Sequence, residues 1–136
     1  MSILDKYIKK LRNSGLRPTK QRIKICEVLF ETEKTFHFTI NDLTKKIHSQ
    51  TDKKISVATI YNTVHAFEKK GYLKQININS NKTYFDTNVT EHHHFYDTDS
   101  EELIDLDGKD IGPINIQKSI PGKKIKSIEV LVKLED

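Results

Sequence analysis

The chain has 136 residues, 35% of them hydrophobic and 31% charged, with a mean hydropathy of −0.61, which bounds it to one compact domain or two very small ones with a modest core. No apolar run approaches the roughly 18 residues of a membrane helix, and the opening Met1–Lys10 lacks a signal-peptide pattern, so no membrane partner and a cytoplasmic location are expected. The formal charge of +4 is unevenly spread: residues 1–80 carry 16 Lys/Arg against 7 Asp/Glu, and residues 81–136 carry 7 against 12. That split suggests a basic half facing a polyanion and an acidic half with another task.

The first half reads as helices. Ile3, Leu4, Tyr7, Ile8 and Leu11 fall at helical spacing and Gly15 ends that segment. Pro18 and Thr19 open a second helix with Ile23, Val28 and Leu29 on its apolar side. The lone cysteine, Cys26, lies in that run and reads as a small buried hydrophobe; being single, it excludes an intramolecular disulfide and any zinc site made from paired CxxC motifs. Thr39 suits the N-cap of a third helix, with Asp42 three residues on as in a capping box and Leu43 and Ile47 facing inward. After a polar turn over His48–Lys54, Ser56 caps a fourth helix, Val57–Lys70, with a buried stripe of Ile60, Val64 and Phe67 and with Gly71 beyond its end.

Two strands follow, Tyr72–Asn79 and Lys82–Thr87, joined at Ser80-Asn81. Helix, turn, helix and hairpin in this order make a winged helix-turn-helix, with the fourth helix as the DNA reader. In the acidic half, Glu102–Leu106 reads as a strand and the alternation over residues 128–134 as a longer one, while Gly108, Gly112, Pro113, Pro121 and Gly122 allow at most a short helix between. So few strands make a poor isolated domain, and pairing across a homodimer is expected.

Half of the six histidines are consecutive: His92-His93-His94, downstream of Asp86. In an extended segment His92 and His94 share one face and His93 the other. Two imidazoles with a carboxylate form a nitrogen/oxygen site for iron, manganese or zinc, and His37, just before the third helix, is a fourth candidate ligand. His48 and His65 read as surface residues without a metal role. Nothing resembles HExxH, a nucleophile elbow or a phosphate loop, so catalysis is not expected. For DNA, the candidates are Ser56, Ala58, Thr59, Tyr61, Asn62 and Thr63 at the start of the fourth helix, with Arg17, Lys20 and Arg22 for phosphate or minor-groove contacts.

Several of these segments together resemble the ferric uptake regulator family. Leu16-Arg17-Pro18-Thr19-Lys20-Gln21-Arg22 and His37-Phe38-Thr39 before Asp42-Leu43 look like its opening. Ser56-Val57-Ala58-Thr59-Ile60-Tyr61 resembles its recognition helix, Gly71-Tyr72-Leu73 the entry to its wing, and Phe85-Asp86 with the histidine triplet its hinge and metal site. The match spans roughly residues 10–106. Tyr61-Asn62-Thr63, Phe85-Asp86-Thr87-Asn88 and the cysteine-free C-terminal half point to the iron response regulator branch. There the triplet is implicated in haem or metal sensing, and members control iron- and haem-related genes, mainly as repressors. If haem binds, the resemblance and strand alternation make His93 the candidate axial ligand. The chain departs from the wider family where a CxxC is usual: Asp97 and Ser100 stand near those positions, so no structural zinc site of four cysteines is expected.

These readings predict an α+β protein: a winged helix over residues 1–83, a hinge over 84–88, and a small α/β dimerisation and sensing domain over 89–136. The expected partners are AT-rich inverted-repeat DNA and a second copy of the chain, as a dimer or a pair of dimers. Rivals are a peroxide or zinc sensor on the same scaffold, a DNA-binding protein that has lost its sensor, and a metal-dependent hydrolase.

Overall fold

The computed structural model describes residues 1–51 and 54–136, so the turn expected over His48–Lys54 lies partly outside the described residues. The chain forms two compact units, Met1–Val89 and Thr90–Asp136. The first contains α1 (Ile3–Asn13), α2 (Lys20–Phe30), β1 (His37–Phe38), α3 (Ile40–Gln50), α4 (Val57–Lys70), β2 (Lys74–Asn79) and β3 (Lys82–Asp86). The second contains β4 (His93–Asp97), β5 (Glu102–Leu106), a single 3-10 turn at Gly108–Asp110, and β6 (Leu131–Leu134). Among the described residues no helix is long and apolar enough to cross a membrane.

Helix starts follow side-chain capping. Thr39 and Asp42 form a reciprocal capping box on α3, and Ser2 and Asp5 form another on α1. Thr19 and Ser56 accept from the N–H groups of Arg22 and Thr59. At the end of α4, Gly71 takes the left-handed conformation with φ of 87°, and the Tyr72 N–H reaches back to the Phe67 carbonyl at 2.9 Å. That closure uses up the residues expected to begin the first wing strand. Tyr72 packs edge-on against Phe67, Leu73 enters the core, and β2 starts at Lys74.

Leu11, Ile25, Leu29, Leu43, Ile47, Ile60, Val64 and Phe67 are fully buried and make the core of the first unit. Phe67 sits at its centre, edge-on to both Phe30 and Tyr72. The wing is a three-stranded antiparallel sheet of order β1-β3-β2, because the short β1 adds to the hairpin. This pairing sets His37 opposite Asp86 and Phe38 opposite Phe85.

In the second unit the order is β5-β4-β6, with β5 antiparallel and β6 parallel to β4. The strand expected over 128–134 is thus four residues long, and it pairs within its own chain. Its start is set at Val130, whose N–H donates to His93 Nδ1 at 3.0 Å and whose carbonyl accepts from the His94 N–H at 3.1 Å. Its far end is fastened by the 97–100 turn. The Thr98 N–H and hydroxyl both donate to the Leu134 carbonyl at 2.9 Å, and the Asp136 N–H donates to the Asp99 carboxylate at 2.7 Å. Asp97 accepts from the backbone of Ser100 and Asp99, which lowers its pKa.

Phe67→Ala removes the central ring of the core and is expected to destabilise the first unit by about 3–5 kcal/mol, read from urea unfolding followed by far-UV circular dichroism. Burial pushes the Cys26 thiol up to about 12, against a smaller lowering by Lys10, and burial also pushes Tyr7 up to about 12. Both groups stay neutral in the fold but ionise in the unfolded chain near their ordinary values, so stability is intact below about pH 8 and falls as pH rises toward 12. Unfolding midpoints should therefore drop steadily above about pH 9, and Cys26 should resist alkylation at about pH 8.5 until the chain is denatured.

Candidate metal centre and nucleic-acid interface

The histidine triplet enters β4, where strand alternation separates its members. His94 pairs with Asp105 across the β4–β5 ladder. The Nε2 atoms of His94 and His92 lie 3.4 and 3.6 Å from the same Asp105 oxygen, Oδ1. The two imidazoles are nearly enclosed, with side chains 8% exposed, while Asp105 is 54% exposed. Ligand atoms of the three residues fall within 4.8 Å of one another.

The donor chemistry fits a cation. His92 Nδ1 lies 2.8 Å from the Thr90 carbonyl, which can only accept, so this ring nitrogen carries the proton. In the neutral ring Nε2 is then a lone-pair acceptor aimed at a carboxylate oxygen. Two acceptors at this distance repel unless a proton or a metal ion lies between them. Ligands held about 2.1 Å from a tetrahedral ion lie about 3.4 Å apart, close to the spacing found. The Thr90 carbonyl supplies the outer hydrogen bond that ordinarily orients a metal-binding histidine. Asp105 was not among the residues singled out from sequence, since a lone Asp in an acidic half carries no signal until β5 pairs with β4.

His93 faces the other way. Its Nδ1 accepts from the Val130 N–H, which leaves the proton of the neutral ring on Nε2. Axial haem ligation through Nε2 requires this bond to break or the ring to lose both protons.

His37 and Asp86 meet in the first unit as direct partners of the β1–β3 ladder. Asp86 is buried and accepts from the Asn88 N–H at 2.9 Å, and the His37 ring stands edge-on to Tyr84. The structure thus makes a two-residue set at the end of the wing and a three-residue set on the second sheet.

On α4, Val57, Ala58, Tyr61 and Asn62 are exposed, with Tyr61 46% exposed. Thr63 corrects the sequence reading. It is fully buried, and its hydroxyl donates to the Thr59 carbonyl at 2.7 Å, so it cannot reach a base. Ser56 and Thr59 hydroxyls lie 2.9 Å apart while Ser56 also caps the helix, which orients both at the helix start. His65 is half-buried rather than a free surface residue: its ring packs on Tyr61 at 4.6 Å and edge-on to Phe85 at 6.3 Å. His48 places Nε2 3.0 Å from the Ile55 carbonyl, and so bridges α3 to the residue before the α4 cap.

Arg17 and Lys20 are exposed. Arg22 is only half-exposed and donates to the Arg17 carbonyl at 3.0 Å, bracing the connection that carries Arg17. The first turn of α2 has no acidic residue and holds Lys20 and Arg22, against the sign the helix dipole favours. Cations kept at a helix N-terminus are readily understood as groups for a polyanion.

The chain matches the model of the ferric uptake regulator family over residues 13–134. It is 32% identical to a ferric uptake regulation protein of Haemophilus ducreyi over 109 residues, 79% of this chain and 72% of that protein. It is 30% identical to a peroxide-responsive repressor of Staphylococcus aureus over 103 residues, 76% and 68% of the two chains. Its fold is that of a ferric uptake regulator from Pseudomonas aeruginosa solved with manganese, with a TM-score of 0.69, 19% identity, and coverage of 96% and 97%. The chain belongs to the ferric uptake regulator family, and is a DNA-binding transcription regulator rather than an enzyme.

Proposed function

We propose that the chain is a cytoplasmic, dimeric regulator, mainly a repressor, that reads an AT-rich inverted repeat and responds to a divalent metal, Fe, Mn or Zn. The observation that carries the sensing half is the convergence of two imidazole acceptors on one Asp105 oxygen. His92, His94 and Asp105 hold the ion from the second unit, and Asp86 and His37 complete its ligands from the first. Only five residues separate Asp86 from His92, a tether of at most about 22 Å. The bound ion would supply positive charge among these acceptors, and its chemistry there is coordination. Ligands on both sides of residues 84–88 make that segment a hinge: occupancy favours one relation between the reading heads, and half-site spacing converts this into DNA affinity. On DNA, Tyr61, Asn62, Ala58 and Thr59 face the bases, Ser56 sets the helix start, and Arg17 and Lys20 take phosphates, with Arg22 as a support.

The iron and haem-related targets of the iron response branch, and a pair of dimers on DNA, belong to the same proposal. They rest on Tyr61-Asn62, Phe85-Asp86 and the cysteine-free second unit. Metal is the preferred effector over haem, because His93 already gives its Nδ1 lone pair to the Val130 N–H. The peroxide-sensing alternative draws support from the Staphylococcus aureus relatives and from the mixed imidazole and carboxylate donors.

The test is fluorescence anisotropy on an AT-rich inverted-repeat duplex, with the protein apo, with Mn²⁺ or Fe²⁺, and with haem. Metal should tighten binding at least about tenfold; affinity indifferent to every effector would mean that the sensor has been lost. Binding abolished by haem alone would instead favour the haem reading, and histidine oxidation by peroxide with Fe²⁺ but not Mn²⁺ the peroxide reading. Asp105→Asn should weaken Mn²⁺ binding more than about tenfold in calorimetry, with little change in apo DNA affinity. His37→Ala should blunt the metal response while leaving the dimer intact. Asn62→Ala should cost about 1–3 kcal/mol of discrimination at one base pair, whereas Thr63→Val should leave the base preference unchanged.

A further inference from the structure

The segment from Gly112 to Glu129 contains no helix or strand. Among the described residues its only backbone–backbone hydrogen bond closes a turn, from the Lys123 N–H to the Ile120 carbonyl at 3.0 Å. Pro121 and Gly122, the latter with φ of 76°, occupy the centre of that turn, as a type II turn requires. Two arms therefore run to and from residue 121 with their backbone groups open. Five isoleucines line them, Ile114, Ile116, Ile120, Ile125 and Ile128, all between 37% and 63% exposed. Ile114, Ile116, Lys118 and Ile120 share one parity and so share one face of an extended strand.

The sheet of the same unit offers the complement. Its register lines up Ile104, Phe95 and Val132 in one row across β5, β4 and β6, and Glu102, Asp97 and Leu134 in another on the same face. Ile104 is 40% and Leu134 37% exposed, with Phe95 and Val132 half-buried. Charge separates the two surfaces. Residues 112–130 carry four lysines and one glutamate, whereas residues 90–111 carry one lysine and eight acidic residues. A basic, isoleucine-rich strand with open backbone groups matches an acidic sheet face crossed by an apolar row.

We propose that the 112–129 arm is an exchanged dimerisation element, which lies across the Ile104–Phe95–Val132 face of a second copy and receives that copy's arm in return. The inference rests on the dimeric reading and adds the surface through which the dimer forms. Isoleucines supply the contact, the acid-lysine pattern selects this face over the chain's basic half, and backbone pairing fixes the register. A 47-residue unit with three short strands gains from its partner the core it cannot make alone.

The experiment uses the full chain in analytical ultracentrifugation and hydrogen exchange across protein concentration. The wild type should be a dimer whose 114–120 and 123–129 amides are protected only where the dimer is populated. Ile116→Asp with Ile120→Asp should weaken dimerisation at least about a hundredfold. Calorimetric Mn²⁺ binding checks that the second unit of this variant is still folded. Lys118→Glu with Lys124→Glu should also weaken the dimer, and adding Glu102→Lys should recover part of the loss, which a merely structural role would not produce. Dimers as tight as wild type in the isoleucine variant, or arm amides exchanging freely in a populated dimer, overturn the proposal. An intact dimer with reduced DNA affinity in the lysine variant assigns the arm to nucleic acid instead. A wild type that is monomeric throughout overturns the proposal together with the dimeric reading, and leaves metal and DNA binding to their own tests.

Discussion

Two imidazole nitrogens and a carboxylate oxygen are all acceptors, and a fold that brings them to 3.4–3.6 Å must offset their repulsion. Here the constraint is built in several layers. The Thr90 carbonyl fixes the proton on His92 Nδ1, the β4–β5 register brings Asp105 beside His94, and β6 holds the opposite edge of β4. No one of these contacts is strong alone, but together they leave the acceptors little freedom to turn away. Asp105, more than half exposed, gives the site an outlet to solvent, while the enclosed imidazoles make a proton or cation between the groups more effective than it would be in water. The preorganisation is what distinguishes this cluster from a solvated histidine run.

Within the first unit the second pair of candidate ligands is tied to the reading helix by packing. His37 and Asp86 end the β1–β3 ladder, and the next pair along it, Phe38 and Phe85, stacks with ring centroids 5.9 Å apart. Phe85 meets His65, and His65 packs on Tyr61, the exposed aromatic of α4. A displacement of β3 at Asp86 therefore has a short, close-packed route to a residue that faces DNA. Such contiguity supplies a route without measuring its strength, and the separation of ligand, ladder and reader into single-residue steps makes each step open to mutation. The dense core around Phe67 matters here because a loose one would absorb the displacement.

What could be read from the chain alone divides along physical lines. Capping residues act locally, so Thr39 with Asp42, Ser56 and Gly71 marked the helix ends, and the α4 stripe of Ile60, Val64 and Phe67 marked its buried side. Thr63 was misplaced because hydroxyl residues look alike in sequence, whether they face a groove or bond back to the preceding turn. β1 is only two residues long and exists because β3 pairs with it, a non-local cause. Asp105 likewise became visible as a candidate ligand only through strand register. The alternation over residues 128–134 did identify a strand region, but its four-residue extent depends on the Val130 contacts with His93 and His94.

The second unit also bears on how a family member can do without the paired cysteines expected near residues 97 and 100. A zinc ion bound by such cysteines would fasten a turn to the end of the chain. In this chain the turn is closed by Asp97, which accepts from the N–H groups of Asp99 and Ser100, and the C-terminal strand is fastened by Thr98 on the Leu134 carbonyl and by Asp99 on the Asp136 N–H. These bonds are exposed, and each contributes about 1 kcal/mol at most. They are a weaker clamp than a metal, whose binding free energy counts directly toward folding. A unit so fastened depends more heavily on apolar burial for its order, and the isoleucines it leaves exposed are the residues able to supply it.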